Sequence, residues 1–124
     1  MKLATTPIGG ELSWLPVDII EVSNTLSGLR IVAEGSRGTD RFAEVHFAGA
    51  RAFQALDEGD LMGYCDPPLR SKYLVYRIDA GGWRERVGDH FLHCTDAKMP
   101  EWLIVTECLC VNVLSGCTPH IREF

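Results

Sequence analysis

The side chains with the most chemical capacity in this sequence are its thiols and imidazoles. His90-x-x-His93-Cys94, Cys108-x-Cys110, Cys117 and His120 supply the nitrogen and sulfur donors that zinc takes. Their spacing departs from the usual zinc patterns, in which two residues separate paired cysteines on a knuckle turn. On a strand rising ~3.3 Å per residue, Cys108 and Cys110 point the same way about 7 Å apart. Buried thiols acting as small hydrophobes are the simpler reading, so no metal and no other cofactor is assigned. A cysteine nucleophile needs an imidazole beside it and a third group to orient the ring. His93 and Cys94 are chain neighbours, and neighbours on a strand face opposite sides. No catalytic residue is assigned.

Asp57, Glu58 and Asp60 are the next group. Carboxylates so close together can move protons or hold a divalent ion, but in a turn they also serve as solvated caps. Gly35 to Gly38 and Gly81-Gly82 are turn glycines. A phosphate-binding loop needs a strand, a glycine-rich turn and a long helix in that order, and neither stretch has one. Arg70, Lys72, Arg77, Arg84 and Arg86 interleave with Tyr73, Tyr76 and Trp83, a mixture that can bind nucleic acid. The whole chain carries a net charge of −5, which favours a solvated sheet face there and predicts no nucleic-acid partner.

These groups are positioned by elements rich in β-formers. Trp102 to Leu114 is the most apolar and β-branched run, bounded by Pro100 and Gly116. Its length and its Val, Ile and Thr content predict two core strands joined by a tight turn near Thr106 to Leu109. Leu29 to Glu34 alternates as a half-buried strand, and Gly35 to Asp40 forms a hairpin loop. The strand Arg41 to Phe47 returns with Ala43, Val45 and Phe47 on one face. Ala50 to Leu56 reads as the third strand of this meander, with Phe53 and Ala55 facing one way. Val17 to Val22 is a further strand, followed by a turn at Asn24 to Gly28. Asp57 caps a short turn or helix that runs through Leu61, Met62 and Tyr64 to the stop at Asp66-Pro67-Pro68. Tyr73 to Ile78 is a strand, Trp83 to Val87 a helical turn and His90 to Cys94 another short strand. The tail from Cys117 to Phe124 clips back onto the sheet through Ile121 and Phe124.

At 124 residues the chain is one domain, 1–124, with a loose segment at 1–16 whose Trp14 docks on the core. Successive strands with short loops predict an α+β, β-rich fold: a curved or partly closed antiparallel sheet of about six to eight strands with one or two short helices. No apolar run reaches the ~20 residues that cross a bilayer, so no membrane association is expected. Pro7, Gly9, Gly10 and Glu11 interrupt any apolar leader, which predicts a cytoplasmic protein. Five cysteines, an odd number without regular spacing, argue against a secreted disulfide framework. Tyr73 to Ile78 is apolar on both faces, and a homodimer formed by an exposed edge or face is one way to cover it.

Three stretches resemble a group of small bacterial proteins. They are Phe47 to Leu61, Tyr76 to Trp83, and His90 to Ile121 with its Trp102-Leu-Ile-Val-Thr, Cys110-Val-Asn-Val-Leu and Pro119-His-Ile segments. Some of that group are similar to immunity proteins encoded beside polymorphic or contact-dependent toxins. The resemblance implies a non-enzymatic protein that binds and neutralises a cognate toxin domain. An acidic chain suits steered binding to a basic toxin. Asp57, Glu58, Asp60, Tyr64 and Trp83 fall in the predicted loops and short helices, where an aromatic hot spot with an acidic rim would form. The competing expectations are a small Cys/His-dependent enzyme or zinc-binding protein, and a structural homo-oligomer.

Overall fold

The computed structural model describes residues 3–36, 38–57, 72–87 and 98–124. Nine strands and one helix run in the order β1 (Ala4–Ile8), β2 (Asp18–Thr25), β3 (Gly28–Glu34), β4 (Phe42–Phe47), β5 (Ala52–Asp57), β6 (Val75–Ala80), α1 (Trp83–Val87), β7 (Glu101–Val105), β8 (Leu109–Leu114) and β9 (His120–Glu123). The expected β-rich class and antiparallel pairing hold, and the described strands divide between two sheets. The first has the order β1-β6-β7-β8-β5 and the second β2-β3-β4-β9.

The two sheets share one apolar core. Leu29, Ile31, Ala33, Ala43, Val45 and Phe47 from the second sheet meet Val75, Trp102, Ile104, Val111 and Val113 from the first. The alternation of β3 and β4 places these residues on one face, which is why the pattern reads so plainly in sequence. Phe47 is fully buried and lies 6.2 Å from Trp102, centroid to centroid. The Trp102 indole N–H donates to the Ser115 carbonyl at 3.1 Å, so its one polar atom is satisfied inside the core. Tyr76, Leu103, Val105 and Cys110 form a second buried cluster on the opposite face of the first sheet. Burial on both faces explains the nearly continuous apolar run of β7 and β8.

The β7–β8 turn falls where its sequence predicts. The Thr106 hydroxyl donates to the Leu109 carbonyl at 2.5 Å and accepts from the Leu109 N–H at 3.0 Å. A threonine closing a tight turn with its own side chain is a local solution. Cys108 therefore sits at the turn tip and not on a strand facing the same way as Cys110. The turn is tied to the segment before β2, where Cys108 N–H donates to the Val17 carbonyl at 2.9 Å.

Several boundaries and partners differ from expectation. The expected loose segment at 1–16 is ordered where the structure describes it, from residue 3. β1 pairs with β6 from Ala4 to Ile8, Leu12 is buried, and its N–H donates to the Lys72 carbonyl at 2.9 Å. Trp14 does dock on the core. Residues 52–57 form a strand, but β5 leaves the β2-β3-β4 meander and pairs with β8 in the other sheet. Its Phe53 and Ala55 do face one way, and that face is exposed, while Ala52, Gln54 and Leu56 are half-buried. β3 is more than half-buried, because Val32 on its outer face is only 3% exposed. The strand expected at Tyr73 to Ile78 runs two residues later. β2 continues to Thr25, so the turn into β3 is only Leu26-Ser27. The expected turn or helix from Glu58 to Pro68 and the strand from His90 to Cys94 lie outside the described residues.

That tight turn depends on Gly28. Its φ is +113°, and a Cβ there would stand 2.2 Å from the Phe47 carbonyl oxygen. Both the backbone conformation and the space exclude a side chain. Gly28→Ala is expected to lower unfolding free energy by about 1–3 kcal/mol, read from the urea midpoint at constant m.

Candidate functional site

The polar chemistry of the described interior centres on Glu101, the first residue of β7. It is 7% exposed, in a stretch where every neighbour is apolar or structural. Its Oε2 accepts from the Trp83 N–H at 2.8 Å and from Asn112 Nδ2 at 3.2 Å, and its Oε1 from the Arg84 N–H at 3.0 Å. A carboxylate thus caps a single-turn helix from 17 residues away in sequence, taking up two of the amides that such a turn leaves unpaired. Asn112 is fully buried on β8, directly opposite Leu103, and accepts in turn from Gln54 Nε2 at 3.4 Å. Gly82 makes room for the carboxylate: a Cβ there would lie 2.3 Å from Oε2.

A cleft of about 200 Å³ opens beside this network, with Asp79, Arg84, Glu85 and Lys98 among its lining residues. Arg84 Nη1 donates to the Met99 carbonyl at 3.1 Å, and its Nη2 is buried without a partner. The Thr6 hydroxyl donates to Asp79 at 2.6 Å and, together with Arg77, holds that carboxyl below its ordinary value. The cleft is small for a ligand site, which typically spans roughly 300–1,000 Å³. Glu101 spends both oxygens on backbone and amide donors. The arrangement anchors α1 to the sheet.

Of the residues expected to carry function, the structure describes Asp57 and Trp83. Asp57 is exposed at the end of β5. Trp83 is not a surface anchor: it opens α1 and is 7% exposed, because the turn it starts is pinned onto Glu101. Glu58, Asp60 and Tyr64 lie outside the described residues. Cys110 is buried and its thiol donates to the Leu56 carbonyl at 3.4 Å, Cys117 is half-buried, and Cys108 is exposed. Among the described residues no group of three or more His, Cys, Asp or Glu side chains is placed to hold a metal. No helix among them is long and apolar enough to cross a membrane.

Glu101 and Asn112 are the residues that sequence reasoning passed over. Asn112 carried a signal, because an amide between Val111 and Val113 must find partners when buried; Glu101 stands just before the apolar run, which holds a second carboxylate at Glu107, so its type alone did not single it out.

The chain matches no protein-family model, no curated protein and no solved structure.

The outer face of the second sheet carries the densest charge. Arg30 bridges Glu21 and Glu44, the latter at 2.5 Å, and Arg122 reaches Glu44 at 3.4 Å from β9. The Arg30 hydrogen bond holds both carboxyls below their ordinary values, with Ser23 adding to the effect on Glu21 and Arg122 to that on Glu44. A lowered folded-state value means the contribution to stability is complete above the unfolded carboxylate range. It is lost as pH falls through the folded values. Urea midpoints are therefore expected to decline from about pH 5 downwards. A Glu21→Gln/Glu44→Gln double variant should remove this part of the slope, and high salt should weaken it.

Proposed function

We propose that this protein is a non-enzymatic binding protein that neutralises a cognate bacterial toxin domain in the cytoplasm. The observation that carries this reading is the pairing of exposed apolar side chains with carboxylates on an acidic chain. Phe53, 39% exposed, shares the exposed face of β5 with Asp57, and Ile20 (49%) and Phe124 (51%) are exposed as well. Aromatic and aliphatic anchors within an acidic rim suit a basic protein surface. The buried carboxylate network of Glu101 is consumed in holding α1, so it is assigned to the fold. Long-range attraction between an acidic protein and a basic toxin speeds encounter at low salt.

The test is co-expression with a toxin-like C-terminal domain encoded beside this chain. The expected result is restored growth and a stoichiometric complex on gel filtration, with an association rate that falls as salt rises. Absence of both protection and complex would remove the proposal.

A further inference from the structure

The open edge of β9 and the cleft beside it form a second feature with a definite chemistry. Among the described strands β9 ends the second sheet and pairs with β4 alone. The Phe124 N–H donates to the Phe42 carbonyl at 2.9 Å. In an antiparallel ladder, directly opposed residues alternate between bonded and unbonded pairs. Arg122 and His120 therefore face β4 with their backbone groups. Ile121, opposite Val45, and Glu123, opposite Ala43, turn their N–H and C=O groups outward. No described strand takes them up.

Along this edge runs a cleft of about 380 Å³ between β9 and the segment that follows β1. Ile8, Leu12, Pro119 and Ile121 give it an apolar floor and walls, and Glu11 and Glu123 also line it. The described lining holds two carboxylates and neither Lys nor Arg. Glu123 accepts from the Trp14 indole N–H at 2.8 Å, and Glu11 makes no ion pair among the described residues. The groove is thus lined by apolar side chains, two carboxylates and the His120 imidazole, and bordered by strand amides that no described strand pairs.

We infer that this seam takes an extended, basic segment of the partner as an added strand beside β9. This site rests on the reading of the chain as a protein-binding module and places the contact within it. Backbone pairing to Ile121 and Glu123 supplies register, an apolar side chain seats between Ile8 and Ile121, and a Lys or Arg two residues along the added strand, on the same face, meets Glu11 and Glu123. Short strand additions of this kind draw affinity from main-chain bonds and specificity from alternate side chains. The overall negative charge of the chain favours a basic partner over a second copy of itself.

The test uses a synthetic Thr-Val-Thr-Lys-Thr peptide, blocked at both ends, which presents its Val and Lys on one face, titrated into the labelled protein and followed by backbone amide NMR. The expected result is saturable shifts centred on Ile121 and Glu123, with a Thr-Val-Thr-Glu-Thr peptide giving none. Glu123→Pro removes an outward N–H and leaves the bonds to β4 in place. Glu123→Gln controls for the lost carboxylate while keeping the N–H. Proline should weaken binding roughly five- to tenfold beyond the glutamine variant. Should the proline variant not fold, Glu11→Lys/Glu123→Lys serves instead, and it should exchange the preference to the acidic peptide.

Shifts elsewhere, equal binding of both peptides, or no binding at millimolar peptide would overturn the seam. The two readings separate on the toxin itself. A complex that forms equally well with Glu123→Pro and with Glu11→Lys/Glu123→Lys overturns the seam and leaves neutralisation standing. Peptide capture at β9 without toxin protection supports the seam and removes neutralisation.

Discussion

Glu101→Ala is expected to lower the unfolding free energy by about 3–5 kcal/mol. The alanine leaves the Trp83 and Arg84 amides and the Asn112 side chain without their acceptor. Each buried donor stranded in this way costs on the order of 1–3 kcal/mol, and the neighbouring cleft admits water to part of the site. Glu101→Gln keeps one carbonyl oxygen in place and should cost about 1–2 kcal/mol, since only some donors are then orphaned. Urea unfolding at neutral pH gives both values. Amide exchange gives the local signature: Trp83 and Arg84 should lose protection in Glu101→Ala while Val111 and Val113 keep theirs. If the alanine variant were as stable as the parent, the network would not be the anchor of α1. A Gly82→Ala variant acts from the other side, by pushing a methyl group into the space that Oε2 occupies.

Phe47→Ala is the second large effect, at about 3–5 kcal/mol. Phe47 is fully buried where the two sheets meet, so its loss opens a cavity against Trp102 as well as removing transfer free energy. Near-ultraviolet circular dichroism should report the changed surroundings of Trp102, and the urea midpoint the loss of stability. Phe53→Ala is the matched control. Phe53 is 39% exposed on an edge strand, and its truncation should stay within about 0.5 kcal/mol of the parent. Similar costs at the two positions would contradict the assignment of Phe47 to the centre of the core. Truncating Phe53 should instead weaken partner binding if the neutralisation proposal holds.

The elements most legible in the sequence are those set by neighbours along the chain. The period-two pattern of Leu29 to Glu34 and of Arg41 to Phe47 placed β3 and β4 within a residue, because alternation follows from the geometry of a single strand. The Thr106 to Leu109 turn is equally local. The tail was readable too: Ile121, opposite Val45, is partly buried against the core, and its neighbours carry β9 along the edge.

Functional position was less legible. Trp83 looked like a surface aromatic beside glycines, and only the distant carboxylate that receives its amide makes it part of the interior. Asp57, which its acidic neighbours mark as a solvated cap, is exposed but is the last residue of β5, and that strand belongs to a different sheet from the one expected.

From residue types and order alone came a β-rich antiparallel class, the core hairpin at 102–114 and the faces of its central strands. Tertiary structure decided which strands pair, and with them the two-sheet arrangement, the burial of Glu101 and the open edge of β9. Alternation and turn chemistry act over a few residues. The choice of β8 as the partner of β5 joins segments more than fifty residues apart and depends on which faces the rest of the chain leaves to be covered.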